Sequence, residues 1–464
     1  MKASQTIQLL RDYESRNVMF FERDGSWPIV WERAQGVHVW DAAGKKYLDL
    51  TAAFGVAAAG HANPAVVRAG QKQMAKLLHA MGDVHPHALK ARLARELSKI
   101  TFERWARAKA KGKGQRAKTI FASSGFEAVE SALKTAVMAT GRRGIIAFEG
   151  AYHGLGYGAL NATHREHFRG PFRSQLREFG YFVPFPVSSR SSRREEAHSN
   201  NSKLETRNSK IYSEPPHVIS CKEVEQRIRS LFRREKIGAI LVEPVQARGG
   251  CNIPPPWFLP LLRKLCDQHG ALLILDEIYT GFGRTGKWFA CEHSGVEPDL
   301  VCLGKALTGG FPLSACVGRA DVMDAAWPAS TGEAIHTSTF LGHPVGCAMA
   351  LAQIAEIKRL KLGERSAKLG KLLLELLSTI NYQLSTPRGL GLMAGLELRH
   401  ADGSPATAEA MRVIKEMLRR GFILLPEGEH GNIISLTPPL TISEPQLRAT
   451  VRALKKVLTT NEHE

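Results

Sequence analysis

Residues 271–277 read ALLILDE and residues 300–310 read LVCLGKALTGG, so each stretch is a short apolar run that leads into a charged side chain. Comparable apolar runs occupy 119–122, 144–148 and 239–242, and helix-like stretches separate them. Uniformly apolar strands that alternate with helices are typical of a mostly parallel sheet covered by helices on both faces. We therefore predict an α/β fold that binds its ligand beyond the carboxyl ends of the strands.

The two ends of the chain differ from this central pattern and predict a smaller α+β domain. Its signals are a hairpin-like alternation at 37–50, helical periodicity near 348–360, strands near 392–398 and 432–436, and a final helix from Glu444. We predict that residues 1–60 and 326–464 build this small domain and that residues 61–325 build the large α/β domain.

Residues 187–216 interrupt the large domain with a segment of different composition. Ser, Asn, Arg and Glu dominate it, and large apolar side chains are almost absent. Such a segment buries too little apolar surface to offset the entropy lost on ordering. We predict an exposed, mobile insertion here.

The composition of the 464 residues, 44% hydrophobic and 23% charged, is ordinary for a globular protein. No apolar run approaches the ~20 residues that a membrane-spanning helix needs. Residues 1–16 also lack the apolar core of a signal peptide. We predict a cytoplasmic protein without membrane contact. The seven cysteines form no C-x-x-C pair, and nothing near Cys291 and His293 completes a metal site, so we predict no metal.

The formal net charge of +19 raises the alternative of a nucleic-acid-binding protein. Residues 103–118 carry seven Lys/Arg and one Glu, and residues 188–236 carry twelve Lys/Arg and seven Glu. These two segments hold most of the excess, and neither interleaves aromatic with basic residues as a base-stacking surface does. We predict a solvated basic surface and no nucleic-acid partner; steeply salt-dependent binding would support the alternative.

Three of the apolar runs lead into groups that suit a flat, anionic ligand. Ser124 and Glu127 have capping-box spacing and place a helix start at Gly125, where free amides and the helix dipole favour an anion. Tyr152 follows the run at 144–148 and is able to stack on a planar ring. Glu243 follows the run at 239–242 and suits a polar cofactor group. The structural alternatives are a plain helix cap at Ser124, a glycine-rich turn with a half-buried Tyr152, and a loop cap formed by Glu243.

The other two runs lead into an acid and an amine. Asp276 ends a very apolar strand, so its carboxylate needs a cationic partner such as a protonated ring nitrogen. Arg284, close in sequence, is the structural alternative. Lys305 lies in a glycine-rich turn, where desolvation lowers the pKa of an amine and makes it a nucleophile for Schiff-base chemistry. An anion site, a stacking ring, a carboxylate and an amine together match the needs of pyridoxal 5′-phosphate (PLP).

A second glycine pattern, residues 281–286 (GFGRTG), matches the G-x-G-x-x-G dinucleotide fingerprint. Five residues separate it from the preceding strand, and Asp299 begins a strand although a ribose-binding acid ends one. We therefore do not predict a dehydrogenase.

With these residues in place, the chain resembles the class III (omega-type) aminotransferases, which are PLP enzymes of fold type I. The similarity runs from about Trp31 to Ile442 and is interrupted by the insertion. Its most specific stretch, 242–310, combines EPVQ at 243–246, DE at 276–277, the glycine loop and Lys305.

The resemblance implies that Lys305 forms the Schiff base with PLP and then moves a proton between the substrate Cα and the cofactor C4′. Asp276 would pair with the pyridinium nitrogen, Tyr152 would stack on one ring face, and Ile278 would pack on the other.

The resemblance also implies a phosphate site and a homodimer. Ser124, Gly125 and the amide of Phe126 would bind the phosphate, and Thr339 would reach it from the partner subunit. The further residues assigned to the cofactor are His153, Glu243 and Tyr279, and those assigned to the substrate are Phe54, Val56, Glu243 and Ser435.

The sequence departs from the family pattern at three positions. Phe126 replaces a Ser or Thr after the phosphate-loop glycine, and Tyr279 replaces the Gln of some members. Ser435 occupies the position at which many members carry an arginine that binds the substrate carboxylate and pairs with the glutamate corresponding to Glu243. Without that guanidinium we do not expect 2-oxoglutarate to be the best acceptor. Glu243, which lacks this partner, becomes free to attract a substrate amine.

We predict from this resemblance a PLP-dependent aminotransferase that moves an amino group from an amine or amino acid to a 2-oxo acid by a ping-pong mechanism. The alternative is an amino-acid racemase or epimerase on the same scaffold. Incubation with one amino acid in deuterated water separates the two, because only a racemase turns over without an acceptor.

Overall fold

The computed structural model describes residues 2–22, 25–108, 115–187, 219–380, 382 and 384–459. The insertion predicted at 187–216 lies outside these residues apart from Val187. Within the described ranges, no helix is both long and apolar enough to cross a lipid bilayer.

The strands are, in chain order, β1 (Trp31–Gln35), β2 (His38–Asp41), β3 (Lys46–Asp49), β4 (Ala117–Ala122), β5 (Gly144–Phe148), β6 (Gly180–Val183), β7 (Ile237–Val242), β8 (Leu272–Asp276), β9 (Leu300–Leu303), β10 (Ser314–Arg319), β11 (Thr386–Gly389), β12 (Ala394–Glu397), β13 (Phe422–Ile423), β14 (Leu425–Glu427) and β15 (Ile433–Leu436). The helices are α1 (Ala3–Tyr13), α2 (Ala52–Gly55), α3 (Pro64–Lys76), α4 (Ala88–Ile100), α5 (Phe102–Ala108), α6 (Gly125–Thr140), α7 (Tyr157–Ala162), α8 (Glu166–Arg169), α9 (Cys221–Arg234), α10 (Phe258–His269), α11 (Ala320–Ala326), α12 (Pro344–Arg359), α13 (Leu362–Leu377), α14 (Thr407–Arg419) and α15 (Glu444–Thr459). Short 3₁₀ turns occupy Gly170–Gln175, Ala290–His293 and Lys305–Leu307.

The large sheet has seven strands in the order β4-β10-β9-β8-β7-β5-β6. The five strands from β9 to β6 are parallel, and β10 runs antiparallel to both β9 and β4. The parallel strands direct their carboxyl ends to one edge of the sheet, as predicted. The mostly parallel α/β fold is therefore confirmed.

Helices cover both faces of this sheet because its strands are apolar on both sides. Every residue of β5, β7 and β9 is buried. Ile145 and Ala147 belong to a hydrophobic cluster with α6, whereas Ile146 and Phe148 belong to another with α10. Alternate side chains of a strand point to opposite faces, so such strands need helices on both sides.

The structure also has two four-stranded sheets. The sheet β1-β2-β3-β13 pairs the N-terminal hairpin with β13 from the C-terminal part, and the sheet β11-β12-β15-β14 is antiparallel. The first of these sheets joins the two ends of the chain. The domain boundaries at 60/61 and 325/326 stay a prediction.

Candidate active site

A cavity of about 430 Å³ lies at the carboxyl edge of the large sheet. Its lining includes nine residues predicted for cofactor binding: Gly125, Phe126, Tyr152, His153, Glu243, Asp276, Ile278, Tyr279 and Lys305. A larger cavity of about 860 Å³ includes Glu297 and Pro298, just before β9 begins, and none of the predicted residues. The smaller cavity is therefore the candidate site.

Lys305 follows β9 at the start of a 3₁₀ turn, and its φ of +41° is a left-handed conformation that is strained for a side chain of this kind. Its Nζ lies 4.7 Å from the ring centroid of Tyr279. Burial lowers the pKa of Lys305, while the negative charges of Asp276 and Glu243 raise it in part. The net lowering makes the amine a better nucleophile at neutral pH.

Asp276 is the last residue of β8, one position later than the strand predicted from the sequence. Its Oδ2 lies 2.8 Å from Nδ1 of His153, and its Oδ1 accepts a hydrogen bond of 3.1 Å from the amide of Ile278. When Asp276 is ionised, its carboxylate only accepts hydrogen bonds, and Nδ1 of His153 is then the donor. These contacts fix the carboxylate in the cavity wall, where it is able to accept from a ring N–H.

Arg284, the structural alternative as partner of Asp276, is not its partner. The Arg284 Nη1 donates to the carbonyl oxygens of Leu392 (3.0 Å) and Pro438 (2.6 Å). The neighbouring Glu277 accepts hydrogen bonds from the amides of Ala290 (3.0 Å) and Cys291 (2.9 Å) instead.

The start of α6 provides an anion site. The Glu127 carboxylate accepts hydrogen bonds from the amides of Ser123 (2.9 Å) and Ser124 (2.7 Å), which confirms the predicted helix start. A Cβ on Gly125 would lie 3.1 Å from Cδ1 of Ile278, a tight contact that glycine avoids. The first amides of α6 point away from the helix and suit a phosphate.

Glu243 lies directly after β7 and is 5% exposed. Its carboxylate accepts hydrogen bonds from the amides of Tyr152 (3.0 Å) and Ala247 (3.3 Å). Burial raises the pKa of Glu243 to about 7, although His153 and the two amides lower it in part. These contacts hold the backbone of Tyr152 at the cavity.

Five predicted residues do not line the cavity. Ser124 is the N-cap of α6, and its carbonyl oxygen accepts a hydrogen bond of 2.5 Å from Oγ of Ser314. Phe54 and Val56 flank Gly55, whose Cβ, if present, would lie 2.9 Å from the Tyr279 ring.

The last two of these five residues are Ser435 and Thr339. Ser435 is buried on β15, where its hydroxyl hydrogen-bonds to the thiol of Cys251. Thr339 lies in an exposed loop between α11 and α12. The predicted role of Thr339 involves a partner subunit.

Sequence reasoning missed three charged residues near this cavity: Arg248, Arg165 and Glu427. Arg248 lines the cavity, and its Nε lies 3.7 Å from Oε2 of Glu427. Arg248 could have been predicted from the sequence, because it lies two residues after the EPVQ stretch that ends at Gln246. Glu427 had no such signal, because it comes from β14 in the other part of the chain.

Metal binding has no support in the described part of the chain, where no three His, Cys, Asp or Glu side chains gather as ligands. Cys291 is buried, and His293 Nε2 lies 3.1 Å from the carbonyl oxygen of Thr285.

The model of the aminotransferase class-III family matches residues 20–458. A 2-aminoadipate transaminase of Pseudomonas putida is 34% identical over 443 residues, which cover 93% of this chain and 96% of that protein. The crystal structure of a Bacillus anthracis aminotransferase superposes with a TM-score of 0.84 at 27% identity and covers 99% of both chains. A PLP-bound amine transaminase from an uncultivated Pseudomonas species superposes with a TM-score of 0.81 at 27% identity and covers 96% of this chain and 98% of its own.

The chain therefore belongs to the class III aminotransferases, and its cofactor is PLP. The cavity fits this cofactor: Asp276 is placed to accept from the ring nitrogen, the start of α6 suits the phosphate, and the amine of Lys305 faces the same space. The family and the fold that the sequence predicted are therefore confirmed.

Proposed function

We propose that this enzyme moves an amino group from an amine or amino acid to a 2-oxo acid by a ping-pong mechanism, with its cofactor held as a Schiff base on Lys305. The observation that carries the proposal is the single cavity in which the Lys305 amine, with its lowered pKa, lies among Asp276, Glu243 and Tyr152. The relatives named above are all aminotransferases, which favours transfer over racemisation.

When bound, PLP supplies an aldehyde that condenses with amines and a pyridinium ring that accepts electrons. Lys305 Nζ would carry the proton of the substrate Cα. Asp276, oriented by His153, would accept from the ring nitrogen of the bound cofactor. Tyr152, whose amide is held by Glu243, and Ile278 would hold the ring, and the first amides of α6 would hold the phosphate.

We also propose that the enzyme is a homodimer in which Thr339 of one subunit reaches the phosphate of the other. The exposed position of Thr339 outside its own cavity supports this arrangement. The seven cysteines are free, which supports a reducing compartment such as the cytoplasm.

The test is the variant Lys305→Ala. We expect the wild-type protein to be yellow and borohydride to fix the cofactor covalently on Lys305, as peptide mass spectrometry detects. The variant should hold PLP only reversibly, and its rate should fall by about a thousandfold or more, because both the covalent link and the proton carrier are lost. A variant that still fixes cofactor on the chain would contradict the assignment.

The ping-pong mechanism is tested by the two half-reactions. An amino donor added without acceptor should convert the cofactor absorbance once, and a 2-oxo acid should restore it. One amino acid in deuterated water that racemises without any oxo acid would instead favour the racemase alternative.

A further inference from the structure

Arg248 supplies a guanidinium to the wall of the cavity. Its Cζ lies 5.0 Å from the ring centroid of Tyr152, and its charge lowers the pKa of Lys305. The side chain is 33% exposed, so it faces the open part of the cavity, whereas its counterion Glu427 is 6% exposed. Arg248 thus places a positive charge on the solvent-exposed side of the cavity wall.

The pair of Arg248 and Glu427 is incomplete as a hydrogen-bonded contact. Its Nε–Oε2 distance of 3.7 Å is too long for a hydrogen bond. Both atoms are buried, and neither has another hydrogen-bond partner among the described residues. Burial raises the pKa of Glu427, while Arg248, Arg165 and Lys305 lower it in part. A buried guanidinium nitrogen without a partner is costly, so Arg248 is poised to accept a better one.

The other arginines nearby are committed to the fold. Arg165 Nη2 donates to the carbonyl oxygens of Gly428 and, at 2.7 Å, Arg248. Arg388 donates to the carbonyl oxygen of Gly250 (2.8 Å) and to Oε2 of Glu397 (2.5 Å). The cations that line the cavity are Arg248 and Lys305, and Lys305 is assigned to the cofactor.

The backbone of Arg248 is fixed although its side chain is not. Its carbonyl oxygen accepts hydrogen bonds from the amide of Gly428 (3.1 Å) and from Arg165 Nη2 (2.7 Å). The backbone of Arg248 therefore stays in place when its guanidinium changes position. A substitution of the side chain leaves these two backbone contacts in place.

We propose that Arg248 binds the carboxylate of the 2-oxo acid or amino acid substrate, and that Glu427 neutralises Arg248 when no carboxylate is bound. This inference rests on the proposed function. Ser435 stands where many family members carry the arginine that binds the substrate carboxylate, and its hydroxyl contacts the buried thiol of Cys251 instead. The inference gives the role of that arginine to Arg248. A guanidinium binds a carboxylate through two parallel hydrogen bonds, which Glu427 does not make here.

The test compares ligands with and without a carboxylate on the holoenzyme. Propionate and propionamide have nearly the same shape, and their binding is measured by the shift of cofactor absorbance on titration. Pyruvate and butanal serve as acceptors in the second half-reaction. In Arg248→Gln we expect the affinity for propionate and pyruvate to fall about tenfold to a hundredfold, since a charged hydrogen bond is lost. Propionamide and butanal should change by less than about threefold.

Two further variants sharpen the comparison. Arg248→Lys keeps the charge without the two-pronged geometry, so its loss should be intermediate. Glu427→Gln removes the competing carboxylate, so propionate should bind about threefold to tenfold more tightly. Arg412→Gln is the matched control, because Arg412 forms an ion pair of 2.5 Å with Glu409 on α14, outside the cavity.

Unchanged propionate affinity in Arg248→Gln, or wild-type enzyme that does not discriminate propionate from propionamide, would overturn this inference. Both results leave the proposed function intact if the wild-type half-reactions proceed. Failure of the wild-type cofactor to react with any amino donor would overturn the proposed function instead.

Discussion

Glu243 illustrates at the scale of one residue how burial sets a protonation state. The carboxylate accepts two backbone hydrogen bonds, yet burial raises its pKa from an ordinary 4.5 to about 7. Desolvation therefore outweighs both hydrogen bonds and the nearby His153. At neutral pH the carboxyl group of Glu243 is therefore close to half-protonated.

We predict that Glu243→Gln changes the pH dependence of stability. Between pH 4.5 and 7 the folded protein keeps a proton that the unfolded chain has released, so this residue makes the free energy of unfolding fall as pH rises. The glutamine does not ionise, and its single side-chain oxygen accepts from one of the two amides, a loss that does not depend on pH. The variant should therefore gain stability relative to wild type across this window, by up to about 1.4 kcal/mol per pH unit. Urea denaturation of the cofactor-free proteins from pH 4.5 to 8 measures it, and parallel curves would refute the assignment.

Residues at strand ends were predictable and their side-chain partners were not. Asp276 and Lys305 follow apolar runs in parallel strands, and such strands share one edge, so sequence order places these residues together. The Arg248–Glu427 pair joins β14 to the loop after β7, and no local pattern encodes that approach. The pairing of Asp276 with His153 rather than Arg284 likewise depends on a turn of the chain that periodicity does not describe.

At the scale of elements, the glycine loop at 281–286 is a packing feature. A Cβ on Gly391 would lie 2.4 Å from the carbonyl carbon of Thr285, and one on Gly370 of α13 would lie 2.1 Å from the carbonyl oxygen of Gly391. Three backbone segments thus approach each other without side chains between them. Within the loop itself, Gly283 and Gly286 have φ of +94° and +98°, and a Cβ on Gly281 would lie 2.8 Å from the carbonyl oxygen of Glu277. Backbone conformation and close packing therefore explain the glycine pattern that resembles a dinucleotide fingerprint.

Two glycines of α13 provide a matched test of this packing. Alanine in place of a helical glycine ordinarily stabilises a helix by about 1 kcal/mol. We expect Gly363→Ala to stabilise the protein by at most this amount, because Gly363 lies in the first turn of α13 and the nearest atom to its Cβ would be 3.7 Å away. Gly370→Ala should instead destabilise the protein by about 1–3 kcal/mol, since its methyl group meets the backbone of Gly391. Urea denaturation compares them, and equal effects of the two changes would count against the close approach.

At the scale of the whole molecule, one exposed apolar patch lies beside the loop that carries Thr339. We define it by Met74, Leu77, Leu78, Met81, Val84, Ile335 and Phe340, which are 40–69% exposed. The ring centroids of His79 and Phe340 are 5.5 Å apart, and Thr337 Oγ1 donates to Asp83 Oδ2 at 2.5 Å, so both segments of the patch are held together. Contiguous exposed apolar surface of this kind marks protein interfaces.

We predict that Leu78→Glu dissociates the proposed homodimer and weakens cofactor retention at the same time. Leu78 is 59% exposed in the single chain, so the carboxylate is tolerated by the monomer but is costly inside an apolar interface. Sedimentation velocity should show the monomer at concentrations where the wild type is dimeric. PLP should dissociate faster, because each site then lacks Thr339 from the partner.

Leu384→Glu is the control, because Leu384 is 50% exposed but lies between α13 and β11, away from the patch. It should leave both mass and cofactor retention unchanged. The variant Thr339→Ala separates the two effects of Leu78→Glu, since it removes the phosphate contact without adding a charge to the patch. It should remain dimeric and still lose PLP faster than wild type. A monomeric Leu78→Glu protein with wild-type cofactor retention would mean that each chain completes its own phosphate site, and the assignment of Thr339 would then be wrong.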